Sequence, residues 1–383
     1  MKNRALQVMQ YVVPALMAVI ALFGQAIAQT ERVIYSFTDP ADGMNPYAGL
    51  VIDSNGNLYG TTQAGGAYGF GTVFEVSAIG TKKTLYSFGA QSGDGMYPDA
   101  GLVRDGSGNL YGTTHDGGEH GFGTAYKVTK SGKETVLYSF GGFTGDGNYP
   151  FAGLVRDSKG NLYGTANSGG EYGYGTVFMV TPLGTETLLH SFDNTDGASP
   201  WGGLVFDKSG NLYGTTFLGG SNNLGVVFQV SPSGEETVLY NFSGPDGKNP
   251  NAGVILDAKG HLYGTTQGGG SADYGTVFEV TSSGTEKVLY NFHYSDGANP
   301  MGKLIRDAKG NIFGTTYDGG TGEVGTVFEV THLGVETVLH NFTLSSDGDY
   351  PVYVGLVSDK SGNLYGTTSQ GGNGYGTVFE VTP

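Results

Sequence analysis

Gly108-Asn109-Leu110-Tyr111-Gly112-Thr113-Thr114 is one copy of a phrase that the chain repeats seven times. Counted from its second position, the phrase falls at Asn57, Asn109, Asn161, Asn211, His261, Asn311 and Asn363, a step of 50 or 52 residues. A period of that size marks a propeller, solenoid or array in which one supersecondary unit recurs.

The surrounding unit reads as four strands. Gly101–Asp105, Asn109–Thr114, Gly123–Thr129 and Glu134–Phe140 are short runs rich in Val, Leu, Tyr, Phe and Thr, bounded by Gly, Asp, Asn or Ser. Tight turns join the first to the second strand (Asp105 to Asn109) and the third to the fourth (Thr129 to Lys133). The other two connections are long. In an antiparallel meander alternate loops share an edge, so both long loops of each unit gather on one face, where function is expected.

The ends of the repeat array decide between ring and open stack. Arg32-Val33-Ile34-Tyr35-Ser36-Phe37 is a fourth-strand phrase with no first three strands before it. Gly376-Thr377-Val378-Phe379-Glu380-Val381 is a third strand with no fourth after it. Each end supplies what the other lacks. The expected fold is an all-β, seven-bladed propeller of four-stranded antiparallel blades, closed by an N-terminal strand at about 33–37 that completes the last blade.

Residues 1–28 read as an export signal, and 29–383 as the propeller. Lys2 and Arg4 precede an apolar run, Tyr11–Gly24, and Ala26-Ile27-Ala28 gives a small-x-small cleavage pattern. With no cysteine in the chain, disulfides are excluded and packing alone must hold an exported domain. The formal charge of −16 disfavours a phosphate backbone as partner. Gly is abundant at 70 residues, but each recurs in register, which marks turns and close approaches instead of a flexible polymer.

The recurrent phrase Asp-Gly-x-x-Pro…Gly-Leu-Val-x-Asp-x-x-Gly-Asn-Leu-Tyr-Gly-Thr-Thr-x-x-Gly-Gly…Gly-Thr-Val-Phe-Glu-Val resembles the GloVer tandem repeat across residues 33–383. The resemblance implies an exported bacterial repeat protein and no particular activity. Members with surface-anchoring tails differ from this chain, which runs to Thr382-Pro383 just after a strand with no sorting tail in view. The first two strands also resemble, more weakly, the NHL-type propeller repeat.

Comparison among the seven units separates blade requirements from variable positions. Asp53, Asp105, Asp157, Asp207, Asp257, Asp307 and Asp359 sit in the tight first turn, several beside lysines such as Lys159 and Lys309, and read as turn caps. Asp42, Asp94, Asp146, Asp196, Asp246, Asp296 and Asp347 precede Gly on the long-loop face. They read as Asx-type turns, with a ring of Ca²⁺ ligands as the sharper alternative. Phe70, Phe122, Tyr174, Leu224, Tyr274, Val324 and Tyr375 are apolar in every copy and read as core.

The residue after the loop Pro varies: Tyr47, Asp99, Phe151, Trp201, Asn251, Met301 and Val352. The first six are the candidate ligand-binding residues, placed at the mouth of the innermost strands, with Tyr47, Phe151 and Trp201 able to stack on a flat ligand. The bland alternative is an aromatic plug. Unit two also carries His115, Asp116, Glu119 and His120 in one loop, a metal or acid–base candidate weighed against a solvated surface loop.

No Cys nucleophile, Gly-x-Ser-x-Gly, His-Glu-x-x-His, phosphate loop or dinucleotide fingerprint is present. The expectation is therefore a secreted, periplasmic or extracellular binding module, a monomer, recognising a glycan, envelope polymer or protein. No catalytic residue, no metal ligand and no cofactor are assigned, Ca²⁺ being the one ion the acidic loops suggest. Nucleic acid, and membrane insertion after removal of the signal, are not expected. A polysaccharide hydrolase or lyase using Asp99, Asp116 or Glu119 is the alternative, and a purely structural scaffold the third reading.

Overall fold

A computed structural model describes residues 30–344, 346–353 and 355–383; the signal reading of 1–28 falls outside them. Seven sheets of four antiparallel strands follow one another, and the first six take their strands in sequence from the channel outward. Blade 1 comprises Val51–Ile52, Leu58–Thr62, Thr72–Val76 and Lys82–Ser87. Blade 7 comprises Val357–Ser358, Leu364–Thr368 and Thr377–Thr382, and its fourth strand is Thr30–Ser36 from the other end of the chain. Thr30 pairs with Thr382 and Ser36 with Thr377, so the ring closes as the terminal phrases require.

The innermost strands are shorter than the sequence suggests. In blade 2 only Val103–Arg104 pairs, where a run from Gly101 to Asp105 was expected. The segment before it leaves the ladder to pack glycine on glycine around the axis. A Cβ on Gly101 would lie 3.3 Å from Gly49 O, and one on Gly153 would lie 3.1 Å from Gly101 O.

Three recurrent residues of the second strand explain the blade interior. In the second strand Gly60 lies opposite Phe74 of the third, and a Cβ there would come within 2.7 Å of the Phe74 ring. Gly normally weakens a strand. Here it makes room for the ring, and the same Gly–aromatic pair recurs in every blade. The two threonines that follow divide their work. Thr62 Oγ1 meets Thr72 Oγ1 at 2.8 Å within the blade, while Thr61 Oγ1 donates to Ala100 O of the next blade at 3.1 Å.

Blades join through aromatic pairs. The Phe that ends each fourth strand packs edge-to-face on the third-strand ring of the following blade, as in Phe140–Phe178 at 4.8 Å and Phe192–Phe228 at 5.1 Å. Both rings of each pair are buried. Such pairs contribute roughly 0.5–1.5 kcal/mol beyond area burial. The series closes with Phe342–Phe379 and Phe37–Phe74.

The long loops do share a face, and they are tied to one another. The link between blades pairs with the next blade's second long loop, as Gly95–Met96 does with Asp116–Gly117. The residue before each loop Pro adopts a left-handed conformation, for example Tyr97 (φ 58°) and Asn249 (φ 57°). Its backbone is bonded on both sides: Tyr97 N donates to Phe70 O, and Tyr97 O accepts from His115 N. The loop strain is therefore held by neighbours in two blades.

Candidate functional site: the mouth of the central channel

The turn aspartates behave as caps. Asp53 Oδ1 accepts from the backbone N–H groups of Asn55 and Asn57, both at 2.9 Å, and Asp53 Oδ2 accepts from Asn57 Nδ2 and the Tyr59 hydroxyl. Burial alone would raise this carboxyl, but those donors hold it below its usual value, and the same is true at Asp105, Asp157, Asp207 and Asp359.

The Asp-Gly aspartates have a second role that the sequence reading missed. Each lies in a clasp between blades. Tyr86 donates to Asp94 Oδ2 at 2.7 Å, Tyr138 to Asp146 at 2.8 Å and Tyr290 to Asp296 at 2.7 Å. The start of the next blade's outer strand brings a third group against the aspartate. In six junctions that group is a glutamate, and burial, then the aspartate charge, pushes its carboxyl up: to about 7 at Glu31, Glu134, Glu186, Glu286 and Glu336, and to about 8 at Glu236. In the seventh it is Lys82, whose Nζ lies 2.8 Å from Asp42 Oδ1.

Each of these aspartates accepts hydrogen bonds within its own junction, although Asp146 Oδ1 is buried without a partner among the described residues. Asp94 Oδ2 also accepts from Gly89 N and Ala90 N, and Oδ1 from Gly95 N. Among the described residues, one His/Asp/Glu group has ligand atoms within 4.8 Å of each other: His190, Asp196 and Glu236. It repeats the clasp with imidazole in place of phenol, His190 Nε2 lying 2.9 Å from Asp196 Oδ2.

Unit two's unusual loop does not assemble a metal or acid–base cluster. His115 stacks on Tyr149, with 4.9 Å between centroids, and its Nδ1 lies 3.1 Å from Asp116 Oδ1. Glu119 and His120 are exposed.

Around the axis lies a cavity of about 530 Å³. Five of the six candidate residues line it: Asp99, Phe151, Trp201, Asn251 and Met301. Tyr47 stands beside it, half-buried and close enough to Asp99 for that charge, after burial, to raise its phenol. The seventh position is corrected. Val352 is buried, and Tyr353 lines the cavity instead, because unit seven carries one extra residue between Pro351 and Gly355. Tyr353 sits at φ 49° and meets Phe151 edge-on at 5.2 Å.

The mouth is aromatic on one side. Trp201 stacks on Phe217 at 4.4 Å and 10°, leans on Phe151 at 5.8 Å, and its indole N–H donates to Asn167 Oδ1 at 2.6 Å. Asp99 and Asn251 bring polarity. Oδ1 of each is buried without a partner among the described residues. Burial pushes the Asp99 carboxyl up to about 7, with Gln63 opposing and Asp116 adding to the shift. Unpartnered buried oxygens are uncommon and costly unless water or a ligand meets them.

The core expectation holds for five of the seven apolar positions and is corrected at two: Val324 is buried, Phe70, Phe122, Leu224 and Tyr375 are half-buried against the core clusters, and Tyr174 and Tyr274 are exposed. These residues edge the long-loop face, where Phe70 meets Tyr97 and Phe122 meets Tyr149, and apolar character there reflects loop packing.

Seven four-stranded sheets closed around a channel, with variable side chains at its mouth, define a β-propeller with a candidate ligand cavity on its axis. The Gloeobacter/Verrucomicrobia repeat matches residues 21–224 and 203–383, and the chain belongs to that family. No curated protein shows significant sequence similarity to it. Among solved structures, the extracellular domain of a hybrid two-component system from B. thetaiotaomicron is similar at 14% identity and TM-score 0.58, over 93% of this chain and 41% of that one. A second such domain from the same organism matches at 13% and TM-score 0.58, over 91% and 39%. A puromycin hydrolase matches at 14% and TM-score 0.58, over 87% and 52%. The chain thus spans about two-fifths of the length of the sensor extracellular domains it matches, and these likenesses show a shared fold.

Proposed function

We propose that this protein is an exported binding module that takes a saccharide at the mouth of its central channel. One observation carries the reading: the residue after the loop Pro differs from unit to unit, and five of these positions line a cavity that pairs an aromatic wall with two unpartnered buried oxygens. Stacking faces and a few fixed polar atoms are what a sugar requires. Export to the periplasm or exterior rests on Lys2, Arg4 and Ala26-Ile27-Ala28, and on the family resemblance. Among the described residues no helix is long and apolar enough to cross a membrane.

The hydrolase alternative has one point in favour, the raised Asp99 carboxyl, which suits a general acid. Glycosidic cleavage ordinarily needs a second carboxylate across the bond. Asp99 is the one acidic residue lining the cavity among those described. A glycan array probed with the mature protein tests the reading. Retention of a saccharide that is lost in Trp201→Ala, without release of reducing ends, is expected. Turnover that is abolished in Asp99→Asn would establish the enzyme instead.

A further inference from the structure

Six glycines and one lysine ring the channel. Gly49, Gly101, Gly153, Gly203, Gly253 and Gly355 occupy equivalent places on the innermost segments, and unit six puts Lys303 there. The glycine backbones press on one another: a Cβ on Gly49 would lie 2.5 Å from Gly355 O, and one on Gly355 would lie 3.3 Å from Lys303 Cβ. The packing that excludes side chains elsewhere admits a four-carbon stem at this one place.

Lys303 lines the same cavity as Phe151, Trp201 and Asn251, two residues along the chain from Met301. Its side chain is exposed to the channel, and the protein crowded around it still lowers its amine by desolvation. Among the described residues its ammonium has no hydrogen-bond or ion-pair partner. Arg306, the other cation on the cavity wall, is turned away to Tyr263, 5.2 Å from the ring centroid, and to Asp257. In a chain of formal charge −16, an unpaired lysine on the channel wall stands out. A partly desolvated cation gains most from an anion that arrives to pair with it.

Resting on the saccharide reading above, we propose that the ligand is acidic: a uronate-type sugar whose carboxylate pairs with Lys303 while its ring lies against the Phe151–Trp201 wall. Sulfate and sugar carboxylate share the chemistry that Lys303 would recognise, so both serve as probes.

The test uses the mature chain and isothermal titration calorimetry with a galacturonic acid tetrasaccharide, its fully methyl-esterified form and inorganic sulfate. Wild-type protein should bind the acid, and esterification should weaken binding about 10- to 100-fold, the worth of a charge-assisted bond. Lys303→Gln should lose a similar factor and Lys303→Arg should retain most of the affinity. Lys303→Gly restores the pattern of the other six units, so its melting temperature controls for folding. Equal affinity for acid and ester, equal binding by wild type and Lys303→Gln, or no binding of any anion would overturn the inference. Binding of neutral oligosaccharides with no preference for the acid would leave the saccharide reading standing and remove this one. Lys303-dependent sulfate binding with no saccharide bound would do the reverse, keeping the anion seat and discarding the sugar.

Discussion

The ring of Phe37 meets the ring of Phe74 edge-on, 5.3 Å between centroids and 75° between planes. Phe37 follows the strand that completes blade 7, and Phe74 lies in the third strand of blade 1. The contact repeats at this last junction what Phe342 and Phe379 make one blade earlier. Arg32 Nη2 lies 2.5 Å from Glu380 Oε2, and Thr367 Oγ1 donates to Ala48 O at 3.1 Å, so chain ends more than 300 residues apart share one sheet and one junction.

Removing residues 29–38 therefore takes a whole strand from blade 7 together with buried Phe37 and half-buried Tyr35. Burial of such side chains contributes roughly 1.5–3 kcal/mol each. The truncated protein should melt at a clearly lower temperature by circular dichroism. An unchanged melting curve would mean that the ring does not depend on its closing strand.

Tyr126 stands in blade 2 where the other blades have Phe. Its hydroxyl is fully buried with no partner among the described residues, against the place where a Cβ on Gly112 would be. An unsatisfied buried hydroxyl costs about 1–3 kcal/mol. Tyr126→Phe should therefore stabilise the protein by about 1 kcal/mol or more in denaturant unfolding. A loss of stability would show that the hydroxyl has a partner after all.

The glutamate clasps make stability depend on pH. Each of the six glutamates keeps its proton in the folded protein to about pH 7, or about 8 at Glu236, while the unfolded chain releases it near 4.5. The folded state then holds protons that the unfolded state has lost, so stability falls as pH rises from about 5 to about 8. The turn aspartates act in the opposite sense, but only on acidification past their unfolded value of 3.8. The melting temperature should decline across pH 5–8.

Lys82 supplies the matching control. Glu134→Lys copies the Lys82–Asp42 junction at Asp94, and should flatten that decline and raise the melting temperature at pH 8 by about 1–3 °C. Lys82→Glu should steepen it. A melting temperature flat between pH 5 and 8 in all three proteins would contradict the clasp account.

Architecture was legible because the seven copies constrain one another. The phrase Asn-Leu-Tyr-Gly-Thr-Thr needs Gly opposite an aromatic ring and two threonines with different partners, so it repeats wherever a blade does. The wall of the axial cavity was legible in part, since Asp99, Phe151, Trp201, Asn251 and Met301, which line it, follow a fixed Pro yet differ in each unit. Tyr353 was missed because counting from Pro351 ignores the extra residue of unit seven, although that length difference was itself a signal. Lys303 in a column of glycines was a plain break in pattern, but its meaning needs the ring of backbones around it. The clasps were hidden altogether: Tyr86, Asp94 and Glu134 meet only because the outer strands of neighbouring blades come side by side at the link between them, and no spacing along the chain records that.

Trp201 is the protein's single tryptophan, and it stands in the channel mouth, so its fluorescence reports on the proposed site without a label. Titration of the mature protein with an array-selected saccharide should give a saturable change in emission, at the same midpoint as calorimetry, that disappears in Phe151→Ala through weakened binding. Full calorimetric binding with Trp201 emission unaltered, and with affinity unaffected by Phe151→Ala, would place the ligand elsewhere and contradict the account.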